Sequence, residues 1–159
     1  MQVLTIQKQG DLGEYIERIP QAIRETRAEV IKTAADLMSG LLNANIEASG
    51  IQDGNGSVRS WQQQYFGSGG GYVAVRAKAK TYKVTPHGKR YAIGMITNAL
   101  EHGHKLRYPS GRSKRYKPEI HMARARAFQF YHSSAELLPE VEQIAKVTFE
   151  TKMASTLEG

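Results

Sequence analysis

The residues best equipped for chemistry lie in one stretch, TNALEHGHKLRYPSGRSKRYKP, residues 97–118. Glu101-His102-Gly103-His104 offers metal ligands, and the lysines and arginines that follow offer a grip for phosphate. On an extended strand, residues two apart point the same way, so His102 and His104 could face one metal ion while Glu101 points to the other side. A zinc site needs one or two further ligands. The chain has no cysteine, and no motif places His87, His121 or His132 beside the pair. These residues read as a strand end running into an exposed loop, with no metal or other cofactor expected.

Catalysis finds no better footing. A nucleophile needs an oriented base, and acid–base work needs carboxylates converging in a cleft. Ser110 and Ser113 sit in the basic run without an acid to orient a histidine, and most acids fall on segments that read as solvated helix faces. The chain is not expected to be an enzyme.

The basic run is the strongest compositional signal. From Lys105 to Arg126 there are eight lysines and arginines against Glu119 alone, which equals the formal charge of +7 for all 159 residues. Basicity therefore reads as belonging to one loop, about 103–119, above a neutral remainder. Within it Lys105, Arg107, Arg112, Lys114, Arg115 and Lys117 interleave with Tyr108 and Tyr116. Cations alternating with aromatics suit a phosphate-bearing surface. An acidic patch on a protein would satisfy the same charges, and neither an RNA-binding signature nor helix-turn-helix spacing accompanies them.

The elements that must carry this loop follow from periodicity. Asp11 can cap a helix, with Glu14 three residues on. Ile16, Ile23, Val30 and Leu37 then recur every seven residues, with Ile19, Ala34 and Leu41 on the same face. That predicts an amphipathic helix to about Ala48, ended by Ser49-Gly50, with Pro20 as a kink or a first turn. VRSWQQQYF and YVAVRAKAKTYKV read as strands joined through the glycines of Gly67 to Gly71. In the second, Val73, Val75, Ala77 and Ala79 alternate with Ala74, Arg76, Lys78 and Lys80. Trp61, the only tryptophan, reads as a partly buried core residue. RYAIGMITNALEHGH is assigned to a third strand. RAFQFYHSS should begin with a short apolar strand, and a last helix carries Leu137, Val141, Ile144, Thr148 and Phe149 at helical spacing.

The expected fold is α+β: an antiparallel sheet with a long N-terminal helix and a C-terminal helix packed on one face, as a single domain over 1–159. The opening residues lack the charged start and apolar run of a signal peptide, and no stretch is apolar enough to span a bilayer.

The order of these segments resembles the head–tail joining, or tail-completion, proteins of long-tailed bacteriophages. That family places a Gly-x-Leu-Arg-x-Ser-Trp-like stretch after the first helix, matched here by Gly56, Val58, Arg59, Ser60 and Trp61. It then has a Tyr-Ala strand leading to Asn-x-x-x-Glu-x-Gly-His/Thr, matched by Tyr91, Ala92, Asn98, Glu101, Gly103 and His104. Two departures are the Ile-Gly after Tyr91-Ala92 and a linker, ASGIQDGNG, that lacks a proline–threonine approach. The resemblance implies a non-catalytic virion protein made in a bacterial cytoplasm. It would form a ring, commonly a hexamer, as a tail terminator or neighbouring neck component. Its partners would be itself, the tail tube protein and the head-connector or stopper protein, with no membrane. The basic loop would line the DNA channel or grip a neighbouring ring, and Gly103 would supply backbone freedom at a strand end. The alternative is a non-catalytic nucleic-acid-binding module using residues 105–117.

Overall fold

The computed structural model describes residues 10–53, 55–105 and 124–158. Helix α1 runs Gly10–Ala48, and a single helical turn, α2, covers Ser57–Ser60. A hairpin of β1 (Gln62–Phe66) and β2 (Val73–Ala77) follows, then a second of β3 (Tyr82–Val84) and β4 (Arg90–Ala92). Helix α3 spans Ile93–His102, and β5 (His104–Lys105) pairs with β6 (Arg124–Ala125). Helices α4 (Phe130–Ala135) and α5 (Leu138–Glu158) complete the chain.

The architecture is α+β, as the periodicities imply. Among the described residues the strands form three separate antiparallel ladders of two strands each. Helix α1 packs on the β1–β2 hairpin and on α4, and α5 packs along α1. The centre is Leu42 and Ile46 of α1 with Val58 and Phe130, flanked by Trp61, Val75, Leu100 and Tyr131. Trp61 is thus the half-buried core residue its setting implied.

Helix α1 ends where expected. Gly50 takes a left-handed φ of 78°, and Ser49 N–H closes the last turn on Asn45 O at 2.9 Å. Asp11 lies within α1 rather than at a cap position. Its buried face differs from the seven-residue stripe. Val30 is buried, but so are Ala22, Thr26, Ala35, Leu42 and Ile46, whereas Ile23 is 40% exposed. The reason is geometric: a strict seven-residue repeat drifts about 20° per heptad around a straight helix. The stripe therefore walks off the contact line.

Four assignments need correction. VRSWQQQYF is a strand only from Gln62, because Val58–Ser60 belong to the helical turn α2. The alternation over 72–84 belongs to two strands, not one, because Ala79-Lys80 makes a turn with Lys80 at φ 53°. The stretch expected as a third strand is a strand only over Arg90–Ala92. From Ile93 the apolar residues Ile93, Ile96, Thr97 and Leu100, with Glu101, fall at helical spacing and turn inward. The apolar strand expected at RAFQFYHSS, residues 126–134, does not form: β6 stops at Ala125, just before it, and Phe130 enters the core from a helix instead.

Candidate functional site

The residues that carry the second motif converge where α3 meets α4. Glu101 sits on the last turn of α3, and its carboxylate is 4% exposed. Its Oε2 accepts from the Tyr131 amide and its Oε1 from the His132 amide, each at 2.9 Å. The start of a helix leaves backbone N–H groups without intrahelical acceptors. A carboxylate supplied from thirty residues earlier in the chain fills that gap for α4. The backbone reinforces the join, with Phe128 N–H donating to Leu100 O at 2.9 Å and Gln129 N–H to Glu101 O at 3.2 Å.

Gly103 follows at φ 67° and ψ 173°, a region essentially closed to other residues. A Cβ there would stand 2.5 Å from Ala125 O and 3.1 Å from Ala127 N. Gly103 is therefore required twice, for its dihedrals and for the approach of the returning chain. The expected backbone freedom is present, but at a helix end rather than a strand end. Because His102 closes α3 and His104 opens β5, the same-face argument for the two histidines no longer applies. Both are exposed, and among the described residues no group of three or more His, Asp or Glu is placed to hold a metal ion.

Tyr131 extends the join toward the hairpins. Its hydroxyl donates to Gln62 Oε1 at the start of β1. Burial pushes its pKa up to about 12, helped by the Glu101 carboxylate and partly offset by a hydrogen bond with the Ala77 backbone. Beside it a cleft of about 530 Å³ is lined by Arg76, Thr97, Asn98, Glu101, His102 and His132 among others. Thr97 is 2% exposed, and its hydroxyl has no hydrogen-bond partner among the described residues. The Glu101 oxygens are both engaged by amides, so the cleft presents no carboxylate poised as a base.

The first motif also serves as framework. Gly56 adopts φ 62° ahead of α2, and Asp53 accepts from the Val58 and Arg59 amides at 3.0 and 3.3 Å. Arg59 pairs with Glu47 and lies 3.7 Å from Asp53, fastening α2 to the end of α1. Ser60 donates to Ser57 O at 2.8 Å. Sequence reasoning passed over Asp53, whose signal was its place in a glycine-rich turn three residues before Gly56.

Tyr91 and Ala92, by contrast, belong to the β3–β4 hairpin, every strand residue of which is exposed. The hairpin turns through Thr85-Pro86-His87-Gly88, with Gly88 at φ 74° and Thr85 N–H donating to Lys89 O at 2.9 Å. Its base is tied by Ile93 N–H to Thr81 O at 2.9 Å. Tyr82 and Val84 are 46% and 59% exposed, so this arm holds large apolar groups in solvent.

Of the basic-loop residues, Lys105 lies in β5 with its side chain outside the described set, and Arg107, Tyr108, Arg112, Lys114, Arg115, Tyr116 and Lys117 lie outside the described residues altogether. The described part corrects the charge picture. Residues 54–100 contain seven lysines and arginines and no acid at all. Helix α1 has seven acids against four bases, and α5 has four against two. A remainder that sums to neutrality is thus a basic hairpin region set against acidic helices. Comparison with protein-family models, with curated proteins and with solved structures gave no match.

Proposed function

We propose that the chain is a ring-forming tail-completion or tail-terminator component of a long-tailed bacteriophage. It would act without catalysis in the neck of the virion, between the tail tube and the head connector. Support comes first from the ordered motifs. Several of their residues have framework roles that a short match would not require: Gly103 at its close approach, Glu101 as a remote cap, Arg59 and Trp61 at the α1–α2 corner. The observation that carries the reading beyond a monomeric domain is the β3–β4 arm. An isolated two-stranded hairpin is at best marginally stable in water. One that also exposes Tyr82, Val84 and Tyr91 suits a subunit whose apolar surface is covered on assembly.

The second reading is a nucleic-acid-binding module using the basic loop 105–117. It draws on the acid-free stretch 54–100, whose cations could extend a phosphate-binding surface. Sedimentation velocity and negative-stain imaging of the purified chain, alone and with tail tubes, separate the two. Closed rings, or tubes capped at one end, are expected. A monomer that ignores tubes yet binds duplex DNA, with affinity falling steeply as salt rises, would overturn the assembly reading in favour of the second. Replacing Arg112, Lys114, Arg115 and Lys117 by serine should lower the yield of completed particles in a phage complementation assay. Undiminished rescue would remove the basic loop from the function.

A further inference from the structure

Resting on the ring-forming reading, we infer that the outward face of the β3–β4 arm docks on an acidic, apolar stripe along α5 of a second copy of this chain. The register of the hairpin fixes which face is outward. Pairing of Tyr82 with Ala92 and of Val84 with Arg90 puts these four side chains on one face. The Arg90 guanidinium lies 4.5 Å from the centre of the Tyr82 ring, as that grouping requires. Lys83, on the opposite face, reaches back to within 5.5 Å of the Trp61 ring. The body of the protein is therefore behind Lys83, and Tyr82, Val84 and Arg90 look away from it.

Helix α5 offers the complement. Val141 is buried, whereas Ile144 and Val147 are each 48% exposed. Glu140, Ile144 and Val147 stand at i, i+4 and i+7, so an acid and two branched apolar residues share one stripe. An arm with a cation beside a tyrosine and a valine meets a helix with a carboxylate beside an isoleucine and a valine. Tyrosine and arginine are the residues that most often anchor such contacts.

Charge also argues against either surface pairing with its own kind. Two arms brought face to face would oppose Arg90 to Arg90 in an acid-free region, and two α5 stripes would oppose Glu140 to Glu140. Like charges across an interface are costly, so neither surface suits itself. Arm to helix is the attractive pairing, and it uses different patches on the two copies. Such head-to-tail contacts propagate until the rotation closes a ring. Within one chain the arm is anchored to α3 and α5 lies along α1, so among the described residues each surface has its other side open to a neighbour.

The test is sedimentation equilibrium of the full chain across concentration, with circular dichroism as a check on folding. Arg90→Glu and Glu140→Arg should each weaken self-association by about tenfold or more, and the double reversal should recover most of it. Val84→Ser should weaken it without changing the spectrum. If wild type assembles but both single reversals associate within about twofold of it, this interface is wrong while the ring reading survives. If the double reversal is no better than the singles, the Arg90–Glu140 pairing is wrong. A wild type that stays monomeric at every concentration, with or without tail tubes, overturns the ring reading and this contact together.

Discussion

The join around Glu101 and the arm that precedes α3 use similar materials to opposite ends. Each has a charged residue beside a tyrosine: Glu101 with Tyr131, and Arg90 with Tyr82. At the join the Glu101 carboxylate and the Tyr131 phenol are both answered by hydrogen bonds. The carboxylate takes two amides, the phenol takes Gln62, and Gly103 lets the chain pass within contact distance of Ala125. In the arm the Arg90 guanidinium lies over the Tyr82 ring, and Tyr82 and Val84 are 46% and 59% exposed among the described residues. Free energy of folding is concentrated in the first region. The second contributes little to it and is left available for contact. If the arm is the contact proposed above, stability and interaction are carried by different residues and should be separable by mutation.

The largest effect on folding should come from Gly103→Val. Forcing a branched residue into a glycine-only region and against Ala125 O should cost about 3–5 kcal/mol. The melting temperature should fall by about 10 °C or more. A variant melting within a degree or two of wild type would show that the approach of β6 to α3 is not structurally demanding.

Next comes Glu101→Ala, which leaves two part-buried amides unanswered and removes their shared, buried acceptor. A loss of about 3 kcal/mol is expected, read as a lowered urea midpoint at constant slope. Glu101→Gln keeps one acceptor but turns an NH₂ group on the other amide, so it should recover no more than about half of that loss.

Tyr131→Phe should cost about 1 kcal/mol near neutrality, for the hydroxyl bond to Gln62. The variant also carries a pH signature. Because the folded pKa is raised, the neutral phenol is favoured in the native state, and its contribution is fully present below about pH 10. That contribution is lost as pH rises through about 12. Stability of the wild type should therefore decline between about pH 10 and 12 more steeply than that of Tyr131→Phe. Parallel declines would place Tyr131 in a more watery setting than the one described.

The smallest effect on folding should belong to the arm. Val84→Ser should change the melting temperature by less than about 2 °C, since exposed substitutions away from caps and cores usually stay within about 0.5 kcal/mol. A large loss would mean that the arm helps hold the body together, and the contrast with Glu101 would collapse.

How much of this was legible in the sequence varies with the kind of signal. The end of α1 at Ser49-Gly50, the β1–β2 hairpin and the half-buried Trp61 follow from local patterns that no later contact overrode. The buried face of α1 was only partly visible, because a seven-residue recurrence and a helix's own period agree over two turns and then diverge. The misassigned third strand has a clearer cause. Tyr91, Ala92 and Ile93 favour extension, and the same run contains a helical set beginning at Ile93. Length favoured the helix, which runs for ten residues, and burial of Ile93, Thr97 and Glu101 settled it. The cap on α4 was invisible in principle from one sequence, since its donor and acceptor are far apart in the chain. Glu101 stands out in the sequence as a motif position and as an acid beside two histidines, and neither signal names the amides it caps. The charge segregation was countable from the start and was hidden by summing over acidic helices and basic hairpins together.

The stem formed by β5 and β6 has one more consequence. It is closed by Gly103 against Ala125–Ala127, by the His104–Ala125 and Lys105–Arg124 pairs and by the amides held at Glu101. All of these lie outside residues 106–123, and they hold Lys105 beside Arg124. The entropy of closing a flexible loop grows only with the logarithm of its length, and doubling it costs about 0.6 kcal/mol. Exchanging 106–123 for glycine–serine linkers of different lengths should therefore leave the stem intact. The stem would serve as a permissive socket, into which a fluorescent domain or an epitope could be grafted without rebuilding the protein around it.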